Sequence, residues 1–275
     1  MSHPSSLILH PFTLSRARLE SFIACPRQFQ LRYLERRPWP RRPLQANEEG
    51  MLAKGQLFHQ LLQRHFAGVD TAVSAIEDAD VRRWWRLFQQ HGPILPGGDS
   101  ARLLPEMSLT VPLPGTDGRI HLTGRFDLLM VSRDSAHIFD WKTGRPRPTR
   151  DLRHDWHTRL YLALLAEGGQ ALGQTFAPDQ IAITYWFAND HETPHSIQYD
   201  AGWHAQNWAD IQALAAQIET RAASGDWPLT DDLAHCGRCP YPVICGRTAA
   251  PARTNGAEEW EPAAPVDLLE PELPQ

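Results

Sequence analysis

The run Ala136-His137-Ile138-Phe139-Asp140-Trp141-Lys142 constrains this chain most. Its composition is that of a β-strand, and alternate residues of a strand face opposite ways. Asp140 and Lys142 therefore share one face, while Phe139 and Trp141 take the other. The surrounding Leu128, Leu129, Ile138 and Phe139 imply a sheet covered on both sides. A carboxylate in such a sheet is costly unless it meets a cation or lines a cleft. A plain Asp140–Lys142 ion pair at a strand end is the simpler alternative. Asp127, in Gly124-Arg125-Phe126-Asp127 on the preceding β-type run, adds a second acid. Two acids and a lysine on neighbouring strands suit metal-dependent phosphodiester hydrolysis. The acids hold a divalent cation and the lysine steadies a water beside it. Of 27 basic residues, only Lys54 and Lys142 are Lys; the rest are Arg. Arg is forked and almost always charged, whereas Lys is a compact point charge whose pKa shifts readily. A lysine at 142, in a chain that otherwise writes Arg, reads as kept for chemistry.

Periodicity predicts the scaffold around this strand. Ser15 reads as an N-cap, with Leu19, Phe22 and Ile23 following at helical spacing. Pro26 suits the first turn of a second helix through Phe29 and Tyr33. Residues 36–47 are rich in Pro and Arg and read as a loop. Residues 48–67 predict a helix with Met51, Phe58, Leu62 and Phe66 on one face; residues 70–91 predict another, carrying Trp84 and Trp85. Gly97-Gly98 breaks the pattern. Leu104–Leu113, Ile120–Val131 and Ala136–Trp141 then read as strands, the last two joined as a hairpin at Arg133-Asp134-Ser135. A helix over 155–168, a central strand at Gln180–Phe187, a pairing strand at Ser196–Tyr199 and an Ala-rich helix over 203–223 follow. This order implies an α/β core with a mixed sheet flanked by helices. A folded domain over 1–248 and an acidic, Pro-rich, disordered tail over 249–275 are expected.

The net charge of −5 argues at first against a nucleic-acid partner. Residues 254–275, however, carry six acids and no base, and residues 1–47 carry eight Arg against Glu20 and Glu35. Clustered Arg is the footprint of a phosphate-binding surface, against the alternative of a solvated face. No run of 18 apolar residues exists, so no membrane span is expected. Leu7-Ile8-Leu9 lacks a basic flank and makes a poor signal peptide, which leads to the expectation of a cytoplasmic protein.

The chain has four cysteines: Cys25, and Cys236, Cys239 and Cys245 in a C-x2-C-x5-C array. Two disulfides would need an oxidising compartment. Zinc takes four thiolates in a tetrahedron, and an iron–sulfur cluster also takes four. Spacing does not separate zinc from iron. Either metal would join the N- and C-terminal segments, restricting the unfolded chain and linking metal to fold stability.

Several features occur in a defined order: Cys25-Pro26, Gly55-x-x-x-His59 on a helix, Gly124-x-x-Asp127, Asp140-Trp141-Lys142-Thr143-Gly144, Tyr161 on the next helix, then the cysteine triplet. In this order, over roughly residues 13–248, the chain resembles the RecB-like branch of the PD-(D/E)XK nuclease superfamily. It is similar in particular to members with a cysteine-bound iron–sulfur cluster, the AddB nuclease domain and the CRISPR-associated RecB-like exonucleases. The resemblance implies a restriction-endonuclease-like core. It implies that His59, Asp127, Asp140 and the Trp141 carbonyl are metal ligands for Mg²⁺ or Mn²⁺, with Lys142 positioning the attacking water. It implies a [4Fe-4S] cluster on Cys25, Cys236, Cys239 and Cys245, with zinc as the alternative occupant. Glu106, before the first strand, stands where related enzymes place a helper acid. Gly55 leaves room for DNA to approach the helix. The related pattern is Gln-x-x-x-Tyr; here His157 replaces the Gln and Tyr161 is retained, and both are expected at the DNA. Arg36 and Arg37, with Arg41 and Arg42, are expected to track the backbone.

The expected activity is a Mg²⁺- or Mn²⁺-dependent deoxyribonuclease, an exonuclease on single strands or ends, in repair, recombination or CRISPR adaptation. Repair, helicase or CRISPR proteins are its expected partners, with no membrane. The competing readings are a non-catalytic DNA-binding iron–sulfur module, a subunit of a helicase–nuclease complex, and an iron–sulfur redox protein. The intact set His59, Asp127, Asp140 and Lys142 favours the enzyme.

Overall fold

A computed structural model describes residues 12–38, 46–69, 71–96 and 101–247. Arg41, Arg42, Gly97-Gly98 and the acidic tail over 249–275 lie outside the described residues. The strands are β1 (Phe12–Leu14), β2 (Arg102–Pro112), β3 (Ile120–Val131), β4 (Ala136–Lys142), β5 (Ile181–Phe187) and β6 (Asp190–Gln198). The helices are α1 (Arg16–Ala24), α2 (Pro26–Phe29), α3 (Ala46–Phe66), α4 (Ala79–His91), α5 (Thr149–His154), α6 (Trp156–Gly168), α7 (Ala201–Ser224) and α8 (Leu233–Cys236). No helix among the described residues is long and apolar enough to cross a membrane. The chain forms two compact units. Of the described residues, 12–38, 112–122 and 209–247 belong to the first, and 46–69, 71–96, 101–111 and 123–208 to the second.

In the second unit β3 and β4 form the expected hairpin, antiparallel from Leu128 opposite Phe139 to Val131 opposite Ala136. β4 and β5 run parallel, with Asp140 opposite Tyr185 and Lys142 opposite Phe187. Parallel neighbours need a crossover, which α5 and α6 supply. All seven residues of β5 are buried, matching an unbroken apolar run covered on both faces. β6 closes against β5 antiparallel and is longer than the Ser196–Tyr199 segment expected for it. The result is a mixed α/β sheet flanked by helices.

One face of this sheet packs under α3 and α4. Phe58, Leu62, Trp84, Trp85 and Phe88 meet Leu128, Met130, Phe139, Trp141 and Trp186 in one buried cluster. Trp141 stacks on Phe66 at 5.8 Å between centroids, so its indole anchors the strand between Asp140 and Lys142. Truncating such a buried indole costs about 3–5 kcal/mol. The other face meets α6: the hydroxyls of Thr158 and Tyr185 lie 2.7 Å apart, and Tyr161 packs edge-on against Phe126.

Three local expectations need correction. The helix expected from residue 70 starts at Ala79, because the Asp78 carboxylate caps it by accepting the N–H groups of Asp80 and Val81. Met51 is 48% exposed, since α3 buries only its later turns at Phe58, Leu61 and Leu62. Ile23 is 47% exposed, while Leu19 and Phe22 fill the core of α1.

In the first unit β1 lies parallel to the start of β3, with Leu14 opposite Leu122. Ser15 stands at the N-cap position of α1, and Pro26 at the first turn of α2. Phe12, Phe22, Phe29, Tyr33 and Trp227 form a ring cluster around these short elements.

Candidate active site

Four chain segments of the second unit deliver the site. β2 supplies Glu106, β3 supplies Asp127, β4 supplies Asp140 and Lys142, and α3 supplies His59. The β3–β4 ladder ends at Leu128 opposite Phe139. Just beyond it Asp127 Oδ2 accepts the backbone N–H of Trp141 at 2.9 Å, so the side chain of one acid holds the backbone next to the other. His59 Nδ1 lies 3.4 Å from Asp127 Oδ1. His59, Glu106 and Asp127 each present a donor atom within 4.8 Å of the others, a grouping able to hold a metal ion.

Glu106, expected before the first strand, lies within β2 and enters this group through an unusual backbone. Its φ of 53° is left-handed, a conformation that costs a non-glycine residue in the middle of a strand. Arg125 pairs with it at 3.0 Å. Burial pushes the Glu106 pKa up and Asp127's charge adds to this, against the pull of Arg125 and His59. Burial pulls His59 down, but the charge of Asp127 and its hydrogen bond outweigh it, so the net shift is upward. The charge of Asp127 thus raises both His59 and Glu106, and a bound cation would oppose it.

Asp140 is engaged differently. It is 2% exposed. Oδ1 lies 2.9 Å from Lys142 Nζ, and Oδ2 lies 2.6 Å from His157 Nε2. Burial alone would raise its pKa; the charges of Lys142 and His157 overcome this and hold it well below the usual carboxylate range. Asp140 and Lys142 share a face, as strand alternation predicts, and form the ion pair; Asp140 stands outside the His59, Glu106 and Asp127 grouping. Lys54, the other lysine, is a clip. Its Nζ bonds Asp80 Oδ2 at 2.5 Å and lies 3.5 Å from Asp78 Oδ2, tying α3 to the start of α4.

His157 is buried in α6, and Tyr161, one turn later, donates its hydroxyl to the Arg125 carbonyl at 2.6 Å. Gly124 permits that approach: a Cβ there would lie 2.9 Å from Tyr161 Cε1 and 2.8 Å from Leu164 Cδ1. Gly55 faces Thr143, whose Oγ1 would be 3.3 Å from an added Cβ. Arg125 was not singled out by the sequence, because its role depends on Glu106 arriving beside it. In the first unit Arg36 and Arg37 are exposed, and Arg37 pairs with Glu35 at 2.9 Å.

The first unit also gathers the cysteines. Cys25, Cys236, Cys239 and Cys245 are unbridged thiols lining one small cavity with Gln28 and Arg247. Arg247 Nη1 lies 3.3 Å from Cys236 Sγ. Burial raises the pKa of Cys239, and the neighbouring cysteines add to it.

Comparison with known proteins places this arrangement. The chain matches the profile of the PD-(D/E)XK nuclease superfamily over residues 13–246. Among solved structures, it is similar in fold to a protein of Eubacterium rectale named a putative exonuclease, with a TM-score of 0.50 and 10% identity over 80% of this chain and 85% of that one. A second solved structure, SSO0001, aligns with a TM-score of 0.37 and 15% identity over 85% of each chain. No curated protein matches. With the profile spanning both strands that carry the acids and the lysine, the chain belongs to the PD-(D/E)XK nuclease superfamily.

Proposed function

We propose that this chain is a divalent-cation-dependent deoxyribonuclease that acts as an exonuclease on single strands or DNA ends. The observation that carries the reading is the convergence of His59, Glu106 and Asp127, with Asp127 bonded to the backbone between Asp140 and Lys142. The donor set fits the expected ion. Hard oxygens with one imidazole suit Mg²⁺ or Mn²⁺ rather than a thiophilic metal. His59, Glu106, Asp127 and Asp140 would hold it, with the Trp141 carbonyl. When bound, such an ion offsets the charge that grows on the non-bridging phosphate oxygens.

The chain's own groups do the rest. Lys142, ion-paired with Asp140 at 2.9 Å, holds a water by hydrogen bonding and aims it at phosphorus. Asp127 and the buried Trp141 indole keep the two strands in register, so the acids and the ammonium need not rearrange as charge develops. Hydrolysis adds water across one P–O ester bond and leaves a phosphate monoester and a hydroxyl end. The exposed Arg36 and Arg37 would track phosphates. The exonuclease reading draws on the name of the Eubacterium rectale protein.

For the cysteines we propose a [4Fe-4S] cluster, with zinc as the alternative. Four thiols around one cavity, with the Arg247 guanidinium 3.3 Å from Cys236 Sγ, fit a cation held as thiolates. Free thiols also suit a reducing, cytoplasmic setting, in which repair, helicase or CRISPR proteins would be partners.

The test incubates anaerobically purified protein with labelled single- and double-stranded DNA in Mg²⁺, Mn²⁺ or EDTA. Cation-dependent shortening from ends supports the reading. DNA binding without degradation under every condition would leave a non-catalytic module. Broad visible absorption distinguishes iron from zinc.

A further inference from the structure

We infer that His157 and Tyr161 form a positioning pair for the two acid-bearing strands, and that His157 fixes which oxygen of Asp140 is presented to the cation; this rests on the nuclease reading above. The resemblance implies a DNA contact at position 157, where the related pattern has Gln. The geometry points elsewhere. The His157 side chain is 6% exposed, and its Nε2 is 2.6 Å from Asp140 Oδ2. An ionised carboxylate only accepts hydrogen bonds, so Nε2 carries the hydrogen and donates it. Oδ2 is thereby committed to the imidazole. Oδ1 is ion-paired with Lys142 Nζ at 2.9 Å but is buried without an aligned hydrogen bond, so it is the oxygen a cation would share with the ammonium. A carboxylate with both oxygens open can chelate a cation through two atoms. One with an oxygen held by a donor offers a single, oriented atom. Outer partners of this kind typically change metal affinity by about 10- to 100-fold when removed.

Tyr161 performs the matching task on the other strand. Residues four apart share a helix face, and the two rings lie 4.1 Å apart between centroids. The tyrosine hydroxyl holds the carbonyl of Arg125, whose guanidinium pairs with Glu106. One turn of α6 therefore grips β4 at Asp140 and β3 two residues before Asp127. A glutamine at 157 could donate an amide N–H to the same oxygen, which explains how either residue serves there.

The experiment separates positioning from DNA contact. Manganese binding is measured by the loss of the free-ion EPR signal, without DNA. Affinity for a fluorescein-labelled single strand is measured in EDTA by anisotropy. Wild type, His157→Gln, His157→Leu and Asp140→Asn are compared as full chains. We expect His157→Leu to weaken manganese binding by about tenfold or more, His157→Gln to stay close to wild type, and DNA affinity to be unchanged in both. If circular dichroism shows His157→Leu unfolded, His157→Met replaces it as the variant without a donor. Wild-type manganese binding in the leucine variant, with or without lost DNA affinity, overturns the inference while Asp140→Asn still weakens binding. Wild-type manganese binding in Asp140→Asn instead overturns the assignment of Asp140 as a ligand, and this inference with it.

Discussion

The Asp127 carboxylate accepts the backbone N–H of Trp141 at 2.9 Å, just past the last ladder pair of the β3–β4 hairpin. One oxygen thus closes the hairpin while the other faces His59. The two roles separate by substitution. Asp127→Asn keeps an acceptor for Trp141 but removes the charge. It should retain a melting temperature near wild type and lose activity by about 10²-fold or more. Asp127→Ala removes both, and leaves the N–H without its partner at a further cost of about 1–3 kcal/mol. Thermal melts beside initial rates check this; equal melting of the two variants would contradict it.

Lys142 and Asp140 form an ion pair whose side chains are 17% and 3% exposed. Removing the ammonium leaves the buried carboxylate to His157. Lys142→Met should lower stability by about 3 kcal/mol and abolish measurable turnover. Lys142→Arg should not restore the rate, because a planar fork does not replace a compact point charge. Urea unfolding and single-turnover assays read the two effects separately.

Gly124 is the clearance that lets Tyr161 reach the Arg125 carbonyl. A methyl at this position would stand 2.8 Å from Leu164 Cδ1 and 2.9 Å from Tyr161 Cε1, closer than side chains pack. Gly124→Ala should cost about 1–3 kcal/mol and reduce cation affinity, because Tyr161 can no longer hold the strand. Calorimetry with and without Mn²⁺ measures both.

His137 predicts acid sensitivity away from the site. Burial pulls its pKa from 6.5 down to about 4, with Nε2 2.7 Å from Thr184 Oγ1 and the ring stacked on Phe139. Above pH 6.5 both folded and unfolded chains hold it neutral, so its full stability is present. Between pH 6.5 and 4 the unfolded chain takes up the proton first, and stability falls by ~3 kcal/mol across that window. His137→Gln should flatten this part of the pH–stability curve relative to wild type, as denaturant midpoints across the range will show.

Much of this was legible because it depends on local period. Strand alternation put Asp140 and Lys142 on one face, and the Arg133-Asp134-Ser135 turn placed β3 beside β4. What stayed hidden depends on tertiary approach. The left-handed backbone that brings Glu106 to His59 and Asp127 has no signature in a β-type run. His157 reads from the sequence as a DNA contact in the Gln position of the related pattern; its bond to Asp140 shows only once α6 is laid across β4. The rarity of lysine was half informative: Lys142 meets the site, but Lys54 is an ion-paired clip.

The most direct measurement is an anomalous difference map from a crystal soaked in Mn²⁺. A peak bounded by His59, Glu106 and Asp127, within coordination distance of Asp140 Oδ1, is the expected result. Full occupancy of manganese elsewhere, with these four side chains left unliganded, would contradict the assignment.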